Sequence, residues 1–164
     1  CLALQSRLAT RHSRRGLGAA AAILLLGMLA PPLLTQPAAM VRSEAGGTWV
    51  PFDEAAIAGA VAAGKTVFVD VTASWCLTCQ VNERVVLETD PVQGQLAAPG
   101  VVAMRADWTR RDAKIGEFLK TYGRYGIPFN VVYGPAAPGG MPLPELLSAA
   151  AVLDALHQAS GKAS

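Results

Sequence analysis

The stretch Thr66-Val67-Phe68-Val69-Asp70-Val71 is β-branched and apolar with almost no polar alternation, and it runs into Trp75-Cys76-Leu77-Thr78-Cys79. A strand of that kind is covered on both faces, so it belongs at the centre of a parallel or mixed sheet. Two cysteines spaced CxxC just beyond it mark a dithiol at a strand-to-helix junction. There the first thiol sits at a helix N-terminus, where the helix dipole and free N–H groups stabilise a thiolate. That is the chemistry of thiol–disulfide exchange.

Punctuation on either side extends the pattern. Trp49-Val50-Pro51-Phe52 reads as a short edge strand, because Pro51 bars a central position. Asp53 caps a helix to about Ala63, with Gly64 as its stop. Cys76 to Leu87 reads as a helix, and Asp90-Pro91 opens a short helix to Ala97. Val101 to Ala106 is a second apolar strand, and Asp112 caps a helix to about Tyr122. Gly126-Ile127-Pro128 leads into a third strand, Phe129 to Tyr133. Gly134 to Gly140 reads as a turn, Met141 to Leu147 as an irregular edge strand, and Ser148 caps a closing helix. Strands alternating with helices imply parallel pairing early on, and a late hairpin adds antiparallel strands. The expected fold is therefore α/β, a mixed β-sheet flanked by helices. No internal repeat is visible.

Charge divides the 164-residue chain sharply. Residues 1–43 hold five arginines and no acid, whereas residues 44–164 hold nine basic against twelve acidic residues, a net −3. The body lacks a basic stripe with interleaved aromatics, which argues against nucleic acid as a partner. Gly16 to Leu34 is uncharged over 19 residues, close to the roughly 20 a spanning helix needs. Pro31-Pro32 interrupts this run, and a basic head followed by an apolar stretch and Pro37-Ala38-Ala39 also describes a signal peptide or signal anchor. The chain opens on Cys1 rather than Met, as a piece of a longer chain would, and the stretch then reads as the last span of a membrane protein. Both readings export the body, because arginines keep the N-terminal flank cytoplasmic. The expected division is a basic flank at 1–15, a transmembrane helix or signal anchor at 16–34, a linker at 35–48 and a folded domain at 49–164.

Cys1 lies far from the other two cysteines and reads as an incidental thiol. The Cys76–Cys79 pair admits three uses: redox exchange, metal binding or a structural disulfide. A structural bridge between i and i+3 closes a very small loop and restrains the chain little. A tetrahedral zinc site wants two further ligands, and neither His12 nor His157 has ligand spacing. Asp70 lies within the apolar strand, where a lone carboxylate is costly and its pKa is driven up. Arg110, Arg111 and Lys114 read as a solvated helix start, and Asn130, in an apolar strand, has no evident role.

From about Trp49 to Ser160 the chain resembles the thioredoxin superfamily. The resemblance rests on the Trp-Cys-x-x-Cys junction, Asp70 six residues before Cys76, and Ile127-Pro128 before a strand. It is most similar to the C-terminal domains of the DsbD and ScsB family of thiol:disulfide interchange proteins. The residues that carry this are the run Val69 to Cys79, Glu83 seven residues after Cys76, Gly126 to Pro135, and Leu143-Pro144-Glu145-Leu146-Leu147.

The resemblance implies a protein-disulfide reductase. A membrane domain would feed it electrons, and it would pass them to periplasmic thiol–disulfide proteins from the bacterial inner membrane. It implies no cofactor beyond the redox-active Cys76–Cys79 disulfide and no resident metal. Cys76 would be the nucleophile and Cys79 the resolving thiol. Asp70 would take or give the Cys79 proton, and Glu83 would be a second acid near the pair; their plain alternatives are a satisfied carboxylate and a solvated helix-face residue. Pro128 would be cis, turning the Ile127 backbone towards Cys76 to bind a partner's extended segment. Trp75 would shield the disulfide, with Trp108 and Tyr125 flanking the same surface. Leu77-Thr78 departs from the Gly-Pro of thioredoxin. That leaves the direction of electron flow open: a thiol oxidase or disulfide isomerase is one rival, and a copper- or zinc-binding module is another.

Overall fold

The computed structural model describes residues 49–161. The expected flank, span and linker at 1–48 and the last residues 162–164 lie outside them. Five strands form one sheet: β1 (Trp49–Pro51), β2 (Thr66–Thr72), β3 (Val101–Asp107), β4 (Phe129–Gly134) and β5 (Ala137–Pro142), in the order β1-β3-β2-β4-β5. β3 runs parallel to both β1 and β2, whereas β4 runs antiparallel to β2 and to β5. The sheet is thus mixed, as the strand–helix alternation requires.

β2 is the central strand, and all seven of its residues are buried. Alternate side chains leave on opposite faces, and each face has its own core. Val67, Val69 and Val71 pack with Ile57 of α1 (Glu54–Ala62) and with Ile115, Phe118 and Leu119 of α4 (Ala113–Thr121). Phe68 faces the other way. It packs with Val86 and Leu87, with Val92 and Leu96 of α3 (Val92–Leu96), and with Val152, Ala155, Leu156 and Ala159 of α5 (Ala149–Ser160). Trp49 closes the edge of that core, its ring 5.9 Å from Phe68 in a T-shaped contact.

The caps read from the sequence hold. Asp53 Oδ1 accepts from Ala55 N at 3.1 Å, and Asp112 Oδ1 accepts from Lys114 N and Ile115 N at 2.8 and 3.3 Å. Ser148 Oγ accepts from Ala151 N at 3.2 Å. Each satisfies N–H groups that the first helical turn leaves without a backbone partner. Gly64 stops α1 in the left-handed region at φ 76°, where a side chain would be strained.

Three features differ from the expectation. β5 takes in residues 137–140, read as part of a turn, with Met141 and Pro142 of the expected edge strand; residues 143–147 are irregular, and the hairpin turns tightly after Gly134. β5 is an edge strand, where proline is tolerated. The helix after the CxxC is regular only over α2 (Leu77–Asn82) and continues as a π turn over Glu83–Leu87, marked by Glu88 N donating to Glu83 O at 2.8 Å. Asp90-Pro91 is a cis peptide, like Ile127-Pro128.

Gly134 shows how closely α5 docks. A Cβ there would lie 2.2 Å from the Ala159 carbonyl oxygen, which is backbone and cannot swing aside. Gly134→Ala is therefore expected to lower stability by about 1–3 kcal/mol, read as a reduced urea midpoint at unchanged slope.

Candidate active site

Cys76 is the N-cap of α2 and Cys79 lies in its first turn. They form a disulfide, with Cα atoms 5.3 Å apart. Both cysteines are buried, Cys76 at 7% exposure and Cys79 at 1%, so Cys76 is the more accessible of the two. Cys79 N donates to Cys76 Sγ at 3.2 Å. The first sulfur thus receives a helix N-terminal N–H, the arrangement that stabilises a thiolate once the bond is reduced.

The rim around Cys76 is aromatic. Trp75 is half exposed, and its Nε1 donates to Thr109 O at 3.1 Å. Ser74 N donates to Thr109 Oγ1 at 3.0 Å, which ties the CxxC loop to the turn after β3. Trp108 lies beside Trp75 with ring centroids 6.5 Å apart. The Arg111 guanidinium carbon sits 5.7 Å from each of these rings. Arg111 is exposed just before its helix, as read from the sequence, and is also a cation–π partner in a left-handed conformation at φ 53°. Ile127 packs against Ala73, Cys76 and Cys79, and the Ile127-Pro128 bond is cis as expected. Tyr125 is exposed just upstream.

A polar row crosses the sheet on its Phe68 face. Asp70 of β2 pairs in register with Arg105 of β3 and with Asn130 of β4. Asp70 is 2% exposed, and Arg105 Nε donates to its Oδ2 at 3.1 Å. The Arg105 guanidinium also lies over the Trp49 ring at 4.3 Å. Burial pushes the Asp70 carboxyl up to about 7; Arg105 opposes this and Glu83 reinforces it. Glu83, at the start of the π turn, accepts from Thr72 Oγ1 at 2.5 Å and is half-buried rather than on a solvated face.

The structure therefore brings Cys76 and Cys79 together with Ile127, beside the half-exposed Trp75 and the buried Pro128, while Asp70 and Glu83 lie at the end of β2 and the start of the π turn. Sequence reasoning missed Arg105. It stands 35 residues from Asp70, and only the parallel register of β2 and β3 joins them. Among the described residues, no three His, Cys, Asp or Glu side chains converge so as to hold a metal ion.

Sheet order, helix placement and a dithiol at the first turn of the helix after β2 together define a thioredoxin-like domain. Residues 48–135, more than half of the chain, match the thioredoxin-like family, and the chain belongs to it. Over 87 residues it is 38% identical to thiol:disulfide interchange protein DsbD 1 of Pseudomonas aeruginosa, covering 53% of this chain and 14% of that one. Over 69 residues it is 36% identical to DsbD of Yersinia pestis, covering 42% and 11% respectively. The chain thus spans only a small part of the length of these relatives. The reduced C-terminal domain of Neisseria meningitidis DsbD superposes with a TM-score of 0.52 at 23% identity, over 64% of this chain and 91% of that one. A thioredoxin from Thermus thermophilus superposes with a TM-score of 0.52 at 26% identity, over 67% and 84%. Among the described residues no helix is long and apolar enough to cross a membrane.

Proposed function

We propose that this chain is a thiol–disulfide oxidoreductase of the DsbD kind, a protein-disulfide reductase. The observation that carries the reading is the Cys76–Cys79 disulfide at the N-terminus of α2, with Cys76 the more accessible of the two cysteines. Similarity to DsbD proteins supports it.

In the dithiol form the Cys76 thiolate attacks a partner's disulfide. A Cys76–partner S–S bond forms, and the partner's second sulfur leaves as a thiolate and takes a proton from solvent. The Cys79 thiol then passes its proton to the Asp70 carboxylate. Its thiolate attacks Cys76 Sγ, the Cys76–Cys79 bond forms, and the partner's first sulfur leaves and is protonated in turn. Two electrons have moved to the partner. An acid held near neutrality is matched to that proton transfer. Glu83 acts on the same proton through its charge, which raises the affinity of Asp70 for it. Trp75 shields the disulfide, and the Ile127-Pro128 backbone, packed beside Cys76, receives the partner's extended segment. No cofactor beyond the dithiol takes part.

On this reading residues 1–15 are a cytoplasmic flank, 16–34 a transmembrane helix or anchor, 35–48 a linker and 49–164 the catalytic domain. The domain then lies in the periplasm at the bacterial inner membrane. A membrane relay domain re-reduces it, and its acceptors are periplasmic disulfide proteins.

The test is the reduction potential of the pair, titrated against defined thiol–disulfide buffers. A value near the roughly −270 mV of thioredoxin is expected. A value near roughly −120 mV would reverse the direction to thiol oxidation. No reversible two-electron transition would remove the redox reading altogether.

A further inference from the structure

Asn130 stands out from its surroundings. It lies in β4 among Phe129, Val131 and Val132, is 1% exposed, and neither its Nδ2 nor its Oδ1 has a hydrogen-bond partner. Only its backbone is engaged, the carbonyl accepting from Leu143 N at 2.9 Å. A buried amide without partners costs about 1–3 kcal/mol, so a purely structural strand would do better with valine. Its position is specific. In the antiparallel register of β2 and β4 it stands directly opposite Asp70, on the same face. Arg105 occupies the corresponding place on the other side of Asp70, and its Nη2 is likewise buried without a partner.

We propose that Asn130 is a positioning residue for Asp70, its amide serving the carboxyl in both protonation states. An amide suits that task as no apolar side chain can. Its N–H₂ donates to a carboxylate, and after half a turn about its last torsion its C=O accepts from a carboxylic acid. The acid then gains and loses its proton in a dry site without stranding a charge or a hydroxyl. The other groups that face Asp70 are fixed in character. Arg105 of β3 favours the anion, whereas Glu83 of the π turn and Glu88 just beyond it oppose it. Thr72 is committed to Glu83. Asn130 is the neighbour whose amide is uncommitted in this structure and can serve both states. The proposal rests on the reading of Asp70 as the proton acceptor, but its titration can be followed without any turnover.

The experiment compares Asn130→Thr with Asn130→Val in the full chain. The two side chains are nearly the same shape and both suit a strand, but only threonine keeps a donor and an acceptor. The readouts are the Asp70 carboxyl carbon resonance against pH, in the reduced protein, and the pH profile of disulfide reduction. Hydrogen bonds to a charged group are the stronger ones, so the anion loses more in the valine variant. Its Asp70 midpoint is expected about one pH unit above wild type, with about fivefold slower reduction at pH 7. The threonine variant should stay near wild type on both. Equal midpoints in the two variants would overturn the proposal. In the unmodified chain the Asn130 side-chain amide resonances should move with the same midpoint as Asp70; pH-independent resonances would overturn it without any variant. If Asp70 follows this pattern but the chain reduces nothing, the redox reading fails and the positioning role stands.

Discussion

Cys76→Ser in the full chain is expected to abolish disulfide reduction while the fold survives, and Cys79→Ser to hold the partner as a stable mixed disulfide. The argument is positional. Cys76 is the more accessible of the two cysteines, and its sulfur receives the Cys79 N–H at the start of α2. Without it no intermolecular bond forms. Without Cys79, that bond forms but the group that breaks it is gone. The fold should tolerate the first change. A serine hydroxyl at the N-cap accepts from the same N–H and is a preferred capping group. The disulfide spans a sequence separation of 3, so its loss relaxes the unfolded chain by less than the roughly 3 kcal/mol of a 15-residue loop. The measurements are turnover with a chromogenic disulfide, a thermal melt, and non-reducing electrophoresis of the Cys79→Ser adduct. Reduction by Cys76→Ser at the wild-type rate would sink the assignment of the nucleophile.

Much of this site is legible in the sequence because its parts are local. The CxxC, the apolar strand before it and the caps Asp53, Asp112 and Ser148 each state their structure within a few residues. What escaped is set by register and by competition between signals. Arg105 meets Asp70 only because β3 lies beside β2, which no local pattern encodes. β5 is built from Ala137-Pro138-Gly139-Gly140-Met141-Pro142, whose composition says turn; pairing with β4 overrides it at a sheet edge. The π turn over Glu83–Leu87 leaves the helical pattern of Val86 and Leu87 almost unaltered, so it is invisible to periodicity. Yet the residue that opens that turn, Glu83, is the one that meets Thr72 at the end of β2. π turns of this kind recur at functional sites.

Asp70→Asn is expected to stabilise the oxidised full chain above neutral pH while slowing its reductase turnover by about 10²-fold. The Asp70 carboxyl goes from an ordinary value of 3.8 to about 7 in the folded chain, chiefly through burial. A group whose proton affinity rises on folding gives stability that is whole below its unfolded value and lost as pH rises through the folded one. The wild-type urea midpoint should therefore fall between about pH 4 and pH 7 and level off above, a loss of up to about 4 kcal/mol from this one residue. Asparagine carries no such term, so its midpoint should lack that fall. The two chains should be alike near pH 4 and diverge by a few kcal/mol at pH 8. Arg105 loses an ion pair in the variant, but its side chain is 28% exposed and its guanidinium keeps the Trp49 ring, which limits the penalty. A wild-type midpoint flat from pH 4 to 8 would refute the buried-acid account. An Asn variant that turns over like wild type would instead refute the catalytic one. A chain that keeps a carboxylate where an amide would hold the fold more firmly is trading stability for chemistry. On the mechanism proposed above, that chemistry is transfer of the resolving thiol's proton.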